Sequence, residues 1–438
     1  MRRELVRRAI AILAACFIVV ALGAPLGAAL TPEQRQLNIQ SFEYVWSTIR
    51  DKHWQTKPGG LDWQAIHDEF RPKIDAADSM DAARAVLNQM LGRLHETHFA
   101  VVPGEVYSSV DGAHAGDKTT GIDVRVVGAR VLVTSVDPDS GAFAQGVRPG
   151  WEILKIAGAD MSPVVAQLNQ AYSGSTLRDL MLRRAILGRL DGGAADPVQV
   201  EFLDGGDKAV SKALAPGNPK GDRVEFGYLS PMQVWLNSSR VGDRNIGYVA
   251  FNVFLDAQRL MTSFGEAVQG CVKCDGFIVD LRGNPGGLGV MAMGMAGWFI
   301  AQPNQKLGTL YMRGATLNFV VNPRLITFAG PLAILVDGTS ASTSEIMAEG
   351  LKDLGRARIF GTHTAAAALP SLFEKLPNGD GFQYAVANYI SEGGKPLEGL
   401  GVTPDVEAPL SRAALLAGKD PALDAAVAWI ENQKHAAK

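Results

Sequence analysis

The sequence predicts a multidomain α/β protein, and three stretches carry that expectation. Residues 330–360 read as strand, tight turn, helix and strand. Leu332–Val336 is a short apolar run and Asp337-Gly338 is a turn pair. From Glu345 onward Ile346, Met347, Gly350, Leu351 and Leu354 recur at helical spacing, before a second apolar run at 357–360. The wider segment 225–409 keeps this rhythm, which argues for a parallel or mixed sheet. By contrast, residues 30–94 are helical in pattern, and from Thr120 the texture turns to β.

Taken in order, the chain opens on a targeting segment. Arg2, Arg3, Arg7 and Arg8 precede an apolar core at 9–21 and small residues at 27–29. An export signal covering 1–29 is expected, with an uncleaved N-terminal anchor as the alternative. The helical part, 30–117, is read from two faces: Phe42, Val45, Trp46 and Ile49, then Trp63, Ile66, Phe70 and Ile74. It ends at His95-Glu96-Thr97-His98, and 103–119 is a Gly, Ser and Asp-rich loop. A β domain follows at 118–220. It has strands at 122–126, 131–133 and 152–156, one long helix over about 163–190, a closing strand at 198–202 and a polar connector from 203. The core at 221–410 has strands at 246–251, 277–281, 332–336 and near 381–390, with helices at 256–268 and 288–300. The tail, 411–438, carries a last helix at 421–433.

Charge and cysteine content narrow the function. With 42 basic and 45 acidic side chains the net charge is −3, which does not suit a nucleic-acid partner that demands a basic surface. Cys271 and Cys274 stand in C-x-x-C spacing without a second cysteine pair or neighbouring histidines. They do not complete a zinc site, and in an exported chain a local disulfide is an option. No metal or cofactor is implied.

The turn at 337–344 is rich in hydroxyls: Thr339, Ser340, Ser342, Thr343 and Ser344. A strand–turn–helix junction can present a serine oxygen at the edge of a sheet. Ser and Thr are also the preferred helix N-caps, and this stretch alone leaves both roles open. A nucleophile would need a base, a group that orients the base, and oxyanion donors. His95, His98 and His363 are candidate bases, and position alone does not choose among them. The loop Gly283-Asn284-Pro285-Gly286-Gly287 follows a buried strand and could supply backbone N–H donors. It lacks the Lys-Ser/Thr end of a phosphate loop.

Four motifs together resemble the carboxyl-terminal processing peptidases, a family of serine proteases. Asp280-Leu281-Arg282-Gly283-Asn284-Pro285-Gly286-Gly287 resembles its D-L-R-x-N-x-G-G signature. Gly338-Thr339-Ser340-Ala341-Ser342-Thr343-Ser344-Glu345-Ile346 is similar to its nucleophile motif, which puts the nucleophile on Ser342. Gly401-Val402-Thr403-Pro404-Asp405 resembles its G-V-x-P-D ending, and 120–156 resembles its PDZ domain, with Trp151 at a position that is acidic in the family. The lysine base of the best-known members is missing, because Ala367 stands in its place. Instead the sequence resembles the tricorn-like branch. Leu91-Gly92-Arg93-Leu94-His95-Glu96-Thr97-His98 puts the base on His98, and Leu397-Glu398-Gly399-Leu400-Gly401-Val402 puts the orienting carboxylate on Glu398.

This resemblance implies an exported serine endopeptidase with a Ser342–His98–Glu398 triad. Gly286 and Thr343 would form the oxyanion hole, and Thr120, Gly121 and Ile122 a nest for the C-terminus of protein or peptide substrates. The resemblance admits one reading of another class: a catalytically silent ligand- or peptide-binding protein on the same fold.

Overall fold

The apolar run Leu332–Val336 lies at the interior of a six-stranded sheet ordered 236–240, 246–251, 276–280, 332–336, 357–361, 406–407. All neighbours run parallel except the first pair. The computed structural model from which this is described covers residues 30–104, 118–191, 197–227 and 231–436. The expected export signal and most of the 103–119 loop lie outside the described residues.

The run is continuously apolar because both of its faces are buried. Leu332, Ile334 and Val336 join the core formed with the helices Ala257–Gln269, Gly289–Ala296 and Thr343–Asp353. Ala333 and Leu335 face Ala422, Ala426, Val427 and Ile430 of the helix Pro421–Ala436. Each such leucine or isoleucine is worth about 1.5–3 kcal/mol of burial. The parallel register also puts the ends of three strands, at Asp280, Val336 and Gly361, side by side. The loops that leave them therefore meet at the carboxyl edge of the sheet, where ligands gather in open α/β folds.

Two other cores flank this one. The helices Pro32–Lys52, Trp63–Asp75 and Met80–Gly92 bury Phe42, Ile66 and Leu87 against Val101, Phe382 and Tyr384. Those last three residues belong to strands of a separate sheet ordered 100–102, 381–385, 371–375. The N-terminal helices thus share their core with residues far along the chain, and this pairing delivers 95–98 to the main sheet. The third core is that of a six-stranded sheet, Ile122–Val127, Arg130–Val136, Glu152–Ile156, Val198–Leu203 and Ala209–Leu214 in order, with the short strand Ala159–Asp160 paired beside Glu152–Ile156, covered by helices.

Several elements differ from expectation. The long helix at 163–190 is two helices, Met161–Ala171 and Arg178–Asp191, interrupted where Gly174 takes φ +75°. The connector after 203 contains the strand Ala209–Leu214, because Asp204 Oδ1 accepts from the N–H groups of Gly206 and Lys208 and closes a hairpin. The hairpin Lys306–Met312 and Ala315–Val320 was not expected at all. Cys271 and Cys274 are joined in a disulfide, and among the described residues no His, Cys, Asp and Glu cluster suits a metal ion.

Candidate active site

Ser342 sits at the junction of the central strand and the helix Thr343–Asp353, with φ +55° and ψ −117°. This is sparsely populated backbone for a non-glycine residue, and it persists only where neighbours fix it. They do so here through Glu345, one turn into the helix, whose side chain is fully buried. Its Oε2 accepts from Ser342 N–H at 2.9 Å and Ala367 N–H at 3.0 Å. Its Oε1 accepts from Ala366 N–H at 2.8 Å and the Thr364 hydroxyl at 2.5 Å. Burial pushes the Glu345 carboxyl up to about 7, against the pull of these four donors.

The other two loops close on the same turn. Asn284, fully buried, accepts Gly286 N–H on Oδ1 at 2.9 Å, and its backbone carbonyl accepts Ala341 N–H at 3.1 Å and the Ser344 hydroxyl at 3.0 Å. A methyl group at Gly286 would lie 2.7 Å from Ser342 Cβ and 2.8 Å from Thr343 N. The Ala367 carbonyl accepts from Ser342 N–H at 2.8 Å. Asp337 ties the Gly283 loop to the turn by accepting Gly283 N–H at 3.2 Å and Thr339 N–H at 2.9 Å. Burial works to raise the Asp337 pKa, but Arg125 and the Thr339 hydrogen bonds bring it down to about 2.

His98 reaches this region on a left-handed residue, φ +62°, just after the helical part ends. Glu398 does not touch its ring; Thr97 stands between them. The Thr97 hydroxyl is 2.7 Å from His98 Nδ1 and donates to Glu398 Oε2 at 2.9 Å, while Thr97 N–H donates to Oε1 at 2.8 Å. Because the hydroxyl proton goes to the carboxylate, its oxygen accepts from Nδ1–H. That selects the tautomer whose Nε2 is free to take a proton. Loss of hydration lowers the His98 pKa to about 4. Burial raises that of Glu398, against hydrogen bonds from Thr97 and Ala368.

The segment Thr364–Ala368 is the wall common to both halves. Its amides serve Glu345 on the Ser342 side, and Ala368 N–H serves Glu398 at 3.1 Å on the other. Among the described residues no hydrogen bond joins His98 to Ser342. The alternative bases stand elsewhere: the ring nitrogens of His363 lie 2.8 and 2.9 Å from the carbonyls of Thr364 and Leu400, and His95 is exposed.

Of the two oxyanion candidates, Thr343 N–H is at the first position of its helix and takes no partner among the described residues, as expected for a helix start. Gly286 N–H is already engaged by Asn284, whereas the next amide, Gly287, at φ +134°, takes none among them. Thr120, Gly121 and Ile122 lie far along the chain from this centre, at the turn that opens the edge strand Ile122–Val127 of the six-stranded sheet. Thr120 and Ile122 are buried, and Thr120 N–H donates to Asp191 Oδ1 at 2.8 Å. Sequence reasoning passed over Thr364 and Asp337 as site residues. Glu345 had a signal in the Ser-x-x-Glu capping pattern.

The chain is similar to known peptidases in sequence and in fold. Peptidase family S41 matches residues 245–408, and the tricorn protease C1 domain matches 37–92. The chain is 26% identical to a carboxyl-terminal-processing protease of Synechocystis sp., over 88% of this chain and 84% of that one. It is also 26% identical to tricorn protease homolog 1 of Streptomyces coelicolor, over 89% of this chain but 34% of that longer protein. In fold it is similar to mature CPAF complexed with lactacystin, with a TM-score of 0.61 at 14% identity, covering 92% of this chain and 98% of that one. The S41 match spans the strained serine at the helix start, and with the similarity to carboxyl-terminal-processing proteases it supports a serine-type peptidase acting on protein or peptide substrates.

Proposed function

We propose that the protein is an exported serine endopeptidase in which Ser342 attacks the scissile carbonyl, with His98 as general base. Thr97 hands the orienting effect of Glu398 to the imidazole, a positioning role, and stabilises the imidazolium as it forms. Thr343 N–H and an amide of the Gly286-Gly287 turn receive the oxyanion. The His98–Thr97–Glu398 chain is the observation that carries this reading: it fixes one imidazole tautomer beside a nucleophile turn that lacks a lysine. The unit at 118–220 is read as a PDZ-like module that selects substrates. Export rests on the leader-like residues 1–29. No helix of the described residues is long and apolar enough to cross a membrane.

A second reading, a silent binding protein, is kept because no hydrogen bond joins His98 to Ser342 among the described residues. Digestion of unfolded casein separates the two. Wild-type protein is expected to cleave it, and Ser342→Ala and His98→Ala to leave it intact. Intact casein with wild type as well would support the silent protein.

A further inference from the structure

The strand Ile122–Val127 is the edge of its sheet, and the helix Arg178–Asp191 packs beside it. A peptide joining the sheet as an extra strand would lie between them, with its terminal carboxylate held by the turn that opens the strand. In this protein the groove is already occupied by the chain's own charges. At the turn, Asp191 Oδ1 accepts from Thr120 N–H at 2.8 Å, the Thr120 hydroxyl at 3.1 Å and the Thr119 hydroxyl at 3.2 Å. The neighbouring amide, Gly121 N–H, is taken by Thr119 Oγ1 at 3.0 Å. Further along, Arg183 Nε donates to Asp123 Oδ1 at 2.8 Å, which spans the groove from helix to strand. Arg125 then covers the strand's Val124 carbonyl at 2.8 Å.

Asp191 thus makes the contacts that an incoming carboxylate would need: one backbone N–H and two hydroxyls converging on one oxygen. Two carboxylates cannot share these donors, since like charges at that distance repel. We propose that Asp191 is a built-in occupant of the carboxylate cradle, so that the C-terminus of a substrate enters the groove only by displacing it. The wild-type module then takes up peptides without regard to a free C-terminal carboxylate, and Asp191 sets that specificity. The proposal rests on reading 118–220 as a peptide-selecting module.

The test is binding by full-length Ser342→Ala protein, so that turnover plays no part. The probes are fluorescein-labelled decapeptides of mixed sequence ending in Leu-Val, as the free acid and as the carboxamide, read by anisotropy. The Ser342→Ala protein is expected to bind acid and amide within about twofold. Adding Asp191→Ala is expected to tighten the acid at least tenfold and leave the amide unchanged. Asp191→Asn, which keeps an acceptor for Thr120 and guards against a folding failure, is expected to gain about threefold for the acid. A tenfold preference for the acid with Asp191 intact would overturn the proposal, because the cradle would be open. So would equal binding of both probes in all three proteins, which would make Asp191 a structural staple. Acid selectivity gained in Asp191→Ala while wild type fails to cleave casein would uphold this inference and sink the peptidase reading.

Discussion

At the residue scale the account turns on Thr97. Its hydroxyl is the contact between His98 and Glu398, so its loss should act through the histidine. Thr97→Val is expected to lower kcat roughly 10²-fold with little change in KM, and Thr97→Ser to restore most of it. A KM effect alone would mean that Thr97 shapes the cleft instead. The pH profile offers a second check. The His98 pKa is lowered to about 4 by burial, so the base stays unprotonated well below the ordinary imidazole range. The acid limb of kcat/KM is expected to fall below pH 6, and a limb near the ordinary 6.5 would contradict a buried base. Ser342, His98 and Glu398 could be proposed from sequence because each stands in a short motif. Thr97 as the bridge could not, because a side chain's reach between distant segments is not written in spacing.

At the element scale the centre is a strand–turn–helix unit pinned by one buried carboxylate. Glu345→Gln turns an amide group toward donors that need acceptors, and is expected to cost about 1–3 kcal/mol in denaturant unfolding. The sign of the pH effect also follows. The folded pKa of Glu345 is raised from 4.5 to about 7, so the folded state binds more protons than the unfolded state in that interval. Glu345 therefore favours folding at low pH, and its contribution is lost as pH rises through about 7. Unfolding of Glu345→Gln should lack this slope. Gly286→Ala would press a methyl group against Ser342 Cβ, and is expected to abolish reaction with serine probes while the protein stays folded. The strand and helix of this unit were legible from apolar period alone. The hairpin at 306–320 was not, since its second strand is exposed at most positions and offers no clear apolar alternation. The single long helix expected at 163–190 failed for a local reason, the left-handed glycine at 174.

At the scale of the whole molecule, three cores meet around one turn. The link between the 118–220 unit and the nucleophile turn is Arg125, whose Nε donates to Asp337 Oδ2 at 2.8 Å. Leu177 and Leu180 of the same unit pack against Ala341, Ala365 and Ala367. This pair is partly buried, so breaking it from one side costs less than the about 3–5 kcal/mol of a fully buried pair, because solvent screens the charge left behind. Arg125→Ala is expected to speed amide hydrogen exchange in 337–343 about tenfold, and unchanged exchange would mean that the pair is not what holds the turn. The α/β class and the order of the elements were readable from the alternation of strands and helices. The sharing of a core between helices 32–92 and strands near 382 was not, because pairing across three hundred residues leaves no local trace in sequence.

The central claim is that His98 activates Ser342. It is tested most directly by the rate at which a fluorophosphonate probe modifies the protein, with the adduct located by mass spectrometry. Wild type is expected to be modified at Ser342 alone, His98→Ala roughly a thousandfold more slowly, and Ser342→Ala not at all. Modification of His98→Ala at the wild-type rate would contradict the claim and require another base for the same serine.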